Sequence, residues 1–472
     1  MTQDHDEQQP RRAPDGPTGA GPAGAGPAGE DPADDVPPPV DTTRRVASDA
    51  LAVGLGYLAS FAYPLVSLPL LARVFGVEDL GRFMFALAVL QLVVQFTDFG
   101  FGMSALRRIA IARTRAERSR VAFATLAATA GLWLVASAVL MLVVLIVPGL
   151  HDQWPIYLIG LLLIGVGAMY PKWLLQGTGR VKAFALLTAV SRLVALVLLV
   201  FTVNSADDDW LAMTWQQFPL ALSAVSSWVI ILWWWKDVHV VRPRASETLE
   251  ALRDSTPMFF SNVASIIMGS ANSVVLGVVS SPTAVAYFSA AERFGNAARG
   301  VMRGVVDAML PRMTRGHSEG PGTSSLQRMI LIGIMSAYVV AGLCLVIFAP
   351  MVVPWYLGAD MAPAAGVTQL VGIALAIGGV ETALMLKATA EHRFRLVARF
   401  ALIGACEHLV LLFVTGSLWG AHGIGCAMIV TETLMGVLYA RDALRRRRGK
   451  REARDAAPSE QADVAQVDPS HT

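Results

Sequence analysis

The stretch 284–311 constrains this chain more than any other. It is long and apolar enough to cross a bilayer, yet it carries Glu292, Arg293, Asn296, Arg299, Arg303 and Asp307. At the helical turn of about 100° per residue, Glu292, Asn296, Arg299, Arg303 and Asp307 share one face spanning roughly 80°. The opposite face is Ala, Val, Phe, Leu and Met, and Arg293 sits further round. A charged side chain near the centre of a membrane helix costs roughly 2.5–3.5 kcal/mol to insert. Several of them facing lipid would resist insertion, so the stripe is expected to face a water- or ligand-filled cavity inside a helical bundle. Its bland alternative is a set of internal ion pairs, Glu292–Arg299 or Arg303–Asp307.

The rest of the chain supplies the bundle. Hydrophobic residues make up 54% and charged residues 16%, with mean hydropathy +0.52, which excludes an ordinary soluble protein. After a Pro-, Gly- and acid-rich tail at 1–43, expected to be disordered, twelve apolar spans follow. They lie near 48–72, 80–105, 120–147, 155–175, 182–203, 212–235, 257–279, 284–311, 327–349, 361–386, 394–415 and 419–440. Each approaches the length of about 20 residues that a bilayer requires. The expected class is therefore an all-α, polytopic membrane protein. A polar connector at 237–256 divides it into six-helix halves at 44–236 and 257–441, and 442–472 forms a basic, then disordered, tail.

The loops alternate in charge. One set holds Arg107, Arg108, Arg180, Lys236, Arg393 and the run Arg445–Arg448; the other is acidic, with Asp152, Asp207 and Asp360. Only the turn near Arg73 and Arg82 breaks the pattern. The positive-inside rule then places both termini and the basic loops in the cytoplasm. Cys344, Cys406 and Cys426 stand in apolar runs without metal-ligand spacing. No nucleotide loop, metal cluster or nucleophile–base pair is visible, and the acidic loops are too short for a catalytic domain. No cofactor and no nucleic-acid partner are expected.

Shifting the sequence by 205 positions lays the second span on the eighth, with Gln91 on Asn296, Gln95 on Gly300 and Asp98 on Arg303. Gln91, Gln95 and Asp98 themselves form a stripe at i, i+4, i+7. Two halves with polar faces at matching depth would line one central cavity. Asp98 could instead be a buried carboxylate paired with Arg107 or with the eighth span. Arg192, Glu407, His408 and Glu432 are intramembrane too. They could carry a proton or sodium ion, or simply satisfy one another. Lys172 and Glu381 are expected to snorkel to the interface. Trp233–Lys236 reads as an interface anchor, Gly420–Gly425 as close helix packing, and Pro64 and Pro69 as kinks in the first span.

Several segments carry a resemblance. These are Pro69–Arg73, Gly76, Gly81, Asp98–Gly100 and Arg107–Arg108, then Pro257-Met-Phe-Phe, Ala286–Arg293 and the last span from Gly420. Together they resemble the polysaccharide-biosynthesis flippases of the multidrug/oligosaccharidyl-lipid/polysaccharide exporter superfamily, over roughly 46–445. The resemblance implies two six-helix lobes in a V, with spans 1, 2, 7 and 8 lining the cleft. It also implies a substrate of undecaprenyl-diphosphate-linked glycan moved between leaflets of a bacterial cytoplasmic membrane. The chain departs from the pattern in its acidic N-terminal tail and in Ala286, where glycine is common.

The expectation is a non-enzymatic flippase. Arg299, Arg303 and Arg293 would hold the diphosphate, while Asn296, Glu292, Gln91, Gln95 and Asp98 would meet sugar hydroxyls or gate the cleft. Movement would draw on membrane potential or an H+ or Na+ gradient, and cell-envelope glycan synthesis enzymes are candidate partners. Rivals are a lipid II flippase, a cation-coupled multidrug exporter and a polytopic glycosyltransferase or polymerase. The cationic stripe disfavours the exporter, and the short loops disfavour the enzyme.

Overall fold

The computed structural model describes residues 43–315 and 323–455, apart from the side chains of 43–61, 303–305, 307–315, 323–326, 451–455 and a few single positions. The tail expected at 1–43 lies almost wholly outside the described residues, and so do residues 456–472 of the tail expected at 442–472. Among those described, the regular structure is helical. The first half holds α1 (Thr43–Asp98), α2 (Phe101–Ile111), α3 (Arg115–Ile146), α4 (Pro148–His151), α5 (Trp154–Ala168), α6 (Lys172–Gly177), α7 (Val181–Thr202) and α8 (Asp209–Val229), which ends in a π-helical turn. The second holds α9 (Ala245–Gly269), α10 (Ala271–Val279), α11 (Pro282–Arg315), α12 (Thr323–Leu357), α13 (Ala364–Ala390) and α14 (Phe394–Asp455). The basic segment from 442 thus continues α14 as far as Asp455. Likewise, the second part of the expected connector is the opening of α9, which runs on into the seventh span.

Eight described stretches are long and apolar enough to cross a membrane, and α11, with its charged stripe, is not among them. Two of the eight, of 50 and 53 residues, contain a break. α1 parts at Gly76 (φ 71°) and α14 at Gly420 (φ 55°). Both lie in the left-handed region, where a β-carbon is strained, so glycine is what lets each long helix turn back. Counting each of these helices as two, and α9–α10 and α11 as crossings, the elements follow the expected spans in order.

The outer surface shows what solvent this fold needs. On α7, Leu186, Val190, Leu193, Val197 and Val200 are exposed at helical spacing, while Ala185, Ser191, Ala195 and Leu199 face inward. α3 does the same with Leu134, Val135, Val139 and Leu142. Apolar faces of this extent are stable against hydrocarbon and not against water.

The core is unequal along the bundle. At the end bearing the acidic turns, one apolar cluster joins both halves: Leu68, Phe83 and Leu90 of α1, Tyr157 of α5, Phe288 of α11, Val353 of α12 and Ile424 of α14. At the basic end the core splits. Trp173, Leu174 and Ile231 centre one cluster in the first half, and Ile334, Tyr338 and Leu386 another in the second. The opening of α9 packs Ala251 on Phe101 and Ala128 of the first half. The exception to the charge pattern is also explained. Arg82 is held by Glu78 at 2.6 Å and Asp79 at 3.0 Å, while Arg73 donates to the Tyr356 carbonyl at 3.4 Å.

Gly420→Ala is expected to cost about 1–3 kcal/mol through backbone strain. Gly449→Ala, on the exposed helical end of α14 with open space around it, should be neutral or stabilising by up to about 1 kcal/mol. Thermal unfolding of the purified protein in detergent checks both, and equal midpoints would contradict the assigned turn.

Candidate functional site

Two cavities adjoin at the middle of α11. The first-half cavity, about 540 Å³, lies among α1, α6, α7, α8 and α11, and its charged lining is Lys172, Arg192, Arg293 and Glu292. Its neutral lining is rich in hydrogen-bonding groups, including Tyr63, Gln91, Tyr170, Gln216 and Gln217. The second-half cavity, about 610 Å³, lies among α11, α12, α13 and α14, with Arg299, Glu381 and Glu432 facing it. Pro64, Arg293 and Asn296 line both.

Arg293 is therefore the hinge point of the site, although the helical wheel set it aside. Its Nη1 donates to the Pro64 carbonyl at 2.7 Å and its Nη2 lies 3.2 Å from Met84 Sδ, so it reaches from α11 onto α1. The wheel angle measures where a Cα sits; a guanidinium on a long stem spans the gap between cavities from the edge of the stripe. Asn296 is open to both spaces. Glu292 accepts from the Ser273 hydroxyl of α10 at 3.3 Å. Arg299 does not pair with Glu292; its Nη2 stands 3.8 Å from Glu432 on α14. The side chains of Arg303 and Asp307 lie outside the described residues, so the Arg303–Asp307 pair does too.

The stripe on α1 divides. Gln91 faces the first-half cavity. Gln95 instead donates to the Ser270 hydroxyl at the α9–α10 junction, tying the halves together. Asp98 pairs with neither Arg107 nor α11: Lys172 Nζ holds it at 2.8 Å. That pair also corrects the expectation for Lys172, which lines the first-half cavity, just as Glu381 lines the second. Both sit near the ends of apolar runs, where sequence alone cannot separate a side chain turned inward from one reaching the interface.

The sequence reading passed over Tyr63, Gln216 and Gln217. Tyr63 donates to the Trp215 carbonyl at 2.6 Å, and Gln216 to Ser67 at 3.2 Å, closing α8 on α1 beside the cavity. Adjacent glutamines inside an apolar run were the available signal. Gly420–Gly425 serves packing, as expected: Gly423 is backed against the Thr415 carbonyl and Gly425 against Leu370. Trp233 and Trp234 are exposed, and Trp235 lies under Arg180, with 4.0 Å from guanidinium carbon to ring centre. Among the described residues, no cluster of His, Cys, Asp and Glu could hold a metal ion.

The model of the polysaccharide biosynthesis protein family matches residues 46–317. The chain belongs to that family. Every residue lining the first-half cavity falls inside the matched segment, whereas the second-half cavity extends beyond it. A "Putative O-antigen transporter" of Shigella dysenteriae is 25% identical over 397 residues, covering 82% of this chain and 97% of the relative. A protein of the same description from Escherichia coli (strain K12) is 27% identical, covering 57% of this chain and 64% of its own length. Among solved structures, the lipid II flippase MurJ in an inward closed conformation superposes with TM-score 0.66 at 12% identity, over 84% of this chain and 87% of that one. An inward-facing multidrug resistance MATE family transporter gives 0.63 at 11%, over 84% and 98%. The fold is thus that of multi-pass membrane transporters.

The two glutamines of the α1 stripe should respond differently to truncation. Gln95→Ala strands Ser270 and is expected to lower stability by about 0.5–1.5 kcal/mol. Gln91→Ala, open to the cavity, should stay within about 0.5 kcal/mol. Thermal unfolding of the two variants side by side is the check.

Proposed function

We propose that this protein is a flippase that carries a polyprenyl-diphosphate-linked glycan across the bacterial cytoplasmic membrane by alternating access. The observation that carries this reading is the first-half cavity, where Lys172, Arg192 and Arg293 face one carboxylate, Glu292, among many neutral hydrogen-bonding groups. Guanidinium groups stay charged in any surroundings and bind phosphate oxygens through paired donors. The tyrosines and glutamines suit sugar hydroxyls. The relatives described as O-antigen transporters support the same class of cargo.

The geometry moves the emphasis within the site. Arg293, with Arg192 and Lys172, is the proposed diphosphate contact, and Asn296, Gln91 and Gln216 meet the sugar. Arg299 faces Glu381 and Glu432, so its role is to balance charge in the second-half cavity. Arg303 remains a candidate contact on its sequence position alone. Gln95 and Asp98 position neighbouring helices and are not placed on the substrate.

With the basic end in the cytoplasm, both termini lie inside. The joined core at the acidic end and the split core at the basic end then describe a cleft closed outward and parting inward. The halves 44–236 and 257–441 would rock about that outer seal, the polyprenyl chain staying in lipid between them. The cell-envelope enzymes that build the glycan on its carrier would supply the substrate. A lipid II flippase would need the same diphosphate contacts. A cation-coupled drug exporter would need an anionic cleft, which the first-half cavity is not.

The decisive experiment reconstitutes the protein in liposomes and follows a fluorescent polyprenyl-diphosphate glycan to the opposite leaflet. Each charged hydrogen bond is worth about 1.5–3 kcal/mol. Arg293→Ala should therefore slow transfer by roughly tenfold or more, since about 1.4 kcal/mol is tenfold. Transfer at the wild-type rate at equal expression would remove Arg293 from the site. Efflux of an organic cation with no lipid transfer would overturn the reading.

A further inference from the structure

A chain of buried polar groups runs from the cavity into the second half, and the transport reading above does not use it. His408, on the first leg of α14, is 2% exposed; Asn272 and Thr431 are 1% exposed. His408 Nδ1 lies 2.8 Å from Thr431 Oγ1 on the second leg of α14, and His408 Nε2 lies 2.9 Å from Asn272 Oδ1 on α10. Thr431 Oγ1 is in turn 2.9 Å from Glu407 Oε2. The other oxygen, Glu407 Oε1, is buried with no hydrogen-bond partner. At the cavity end, Ser273, the residue after Asn272, donates to the carboxyl of Glu292 at 3.3 Å, which brings the Asn272 amide within electrostatic reach of that carboxyl.

The hydrogen inventory decides what this chain holds. With Oδ1 toward His408, Asn272 Nδ2 points to the Met268 carbonyl at 3.5 Å; the reverse sets Oδ1 near that carbonyl and is the less favoured of the two orientations, so the first is the resting one. Nε2 therefore carries a hydrogen. Thr431 has one hydroxyl hydrogen to give; spent on the Ala427 carbonyl at 3.0 Å it would leave both an Nδ1–H and a protonated Glu407 to donate to Oγ1, and kept within the chain it leaves two arrangements. Either an imidazolium donates through Nδ1 to Thr431, which donates to the Glu407 carboxylate, or protonated Glu407 donates to Thr431, which donates to a bare Nδ1. Both arrangements contain the same one proton beyond neutral His408 and ionised Glu407. If that proton leaves, Nδ1–H donates to Thr431, Nε2 becomes an acceptor, and Asn272 must turn Nδ2 toward it. Oδ1 then swings toward Glu292, which accommodates it only as a carboxylic acid.

We propose that Glu407–Thr431–His408 is a proton-binding site that, through rotation of the Asn272 amide, sets the charge of Glu292 and so couples proton movement to capture of an anionic headgroup. The balance closes. An imidazolium N–H bond breaks and a Glu292 O–H bond forms; His408 becomes neutral, Glu292 becomes neutral, Glu407 stays ionised, and the net charge is unchanged. The consequence falls on the neighbouring Arg293. While Glu292 is ionised it competes with a diphosphate for the cations of the first-half cavity; once protonated it does not. Of the described charged groups, Glu292 of α11 faces the Asn272 end of this chain, and Arg299 of α11, 3.8 Å from Glu432 on α14, faces His408.

The idea rests on the diphosphate reading for its ligand, so its test has a ligand-free arm. Infrared difference spectra between acid and neutral pH, taken on the full chain in lipid nanodiscs, should show a carboxylic-acid band that vanishes in Glu292→Gln. Its titration midpoint should move in His408→Gln and in the near-isosteric Thr431→Val. A midpoint unmoved in both variants overturns the coupling. In the second arm, proteoliposomes carry the fluorescent polyprenyl-diphosphate glycan under an imposed pH gradient. The wild type should respond to the gradient, while His408→Gln and Thr431→Val should still transfer lipid but lose that response. Gradient-insensitive wild-type transfer, or a retained response in both variants, rejects the proton site and leaves the flippase standing. If the wild type transfers no such lipid, the substrate reading fails and the infrared midpoint alone decides the proton site.

Discussion

A guanidinium buried in a membrane protein must find acceptors within the protein, and Arg293 finds its acceptor on the other half of the chain. Its hydrogen bond to the Pro64 carbonyl spans 229 positions of sequence. That bond lies where the two cavities meet, with Pro64 and Arg293 lining both. Prolines make the arrangement possible. Pro69 has no N–H to offer the Leu65 carbonyl one turn before it, and the Tyr356 hydroxyl of α12 takes that place at 3.0 Å. α1 thus presents two successive carbonyls, at 64 and 65, to the second half, and both are satisfied from there.

This geometry gives the seal at the acidic end a distinct chemistry from the site beneath it. The acidic end is closed by apolar packing around Phe83, Tyr157 and Phe288, with the Tyr356 contact and the Arg73 bond to the Tyr356 carbonyl above it. Such contacts are short-ranged and exchangeable, so parting them costs hydrogen bonds that water can replace. Charge at the seal is handled locally: Arg82 is neutralised by Glu78 and Asp79, and Arg73 rests on the Tyr356 carbonyl. Charge is concentrated instead around Arg293, beside Arg192 and Glu292 in the first-half cavity.

How much of this the sequence disclosed follows from what each residue's neighbours determine. Helices, their order and their sidedness of charge are properties of a window of about 20 residues, and they were legible. So was the cavity on α11, because the insertion cost of its charges is local. The ranking within the stripe was not. Arg293 gained its place from side-chain reach, Gln95 lost its place to Ser270, and Arg299 found Glu432 in place of Glu292. Each outcome depends on a partner at least 130 positions away, invisible to any helical wheel. Lys172 failed for a related reason: the short α6 turns it inward to Asp98, and a hydropathy window sees only the end of an apolar run.

The distribution of charge between the two cavities bears on how such a protein can release what it binds. The first-half cavity sets Arg192 and Arg293 against Glu292, with Lys172 held by Asp98, while in the second Arg299 stands 3.8 Å from Glu432 and Glu381 lines the same space. A site that only attracts anions would trap them; one that can vary a nearby carboxylate between charged and neutral can bind and let go at constant shape. Glu292 is placed for that, within the cationic cavity and joined through Asn272 to His408, and a ligand shifts such an equilibrium only by its differential affinity for the two states. Arg293 serves both: its bond to Pro64 holds the halves together on the inner side of the seal, and an anion arriving beside Glu292 competes for the same guanidinium. Loading the site and loosening the closed arrangement are then one event, which is the minimum an alternating-access carrier requires.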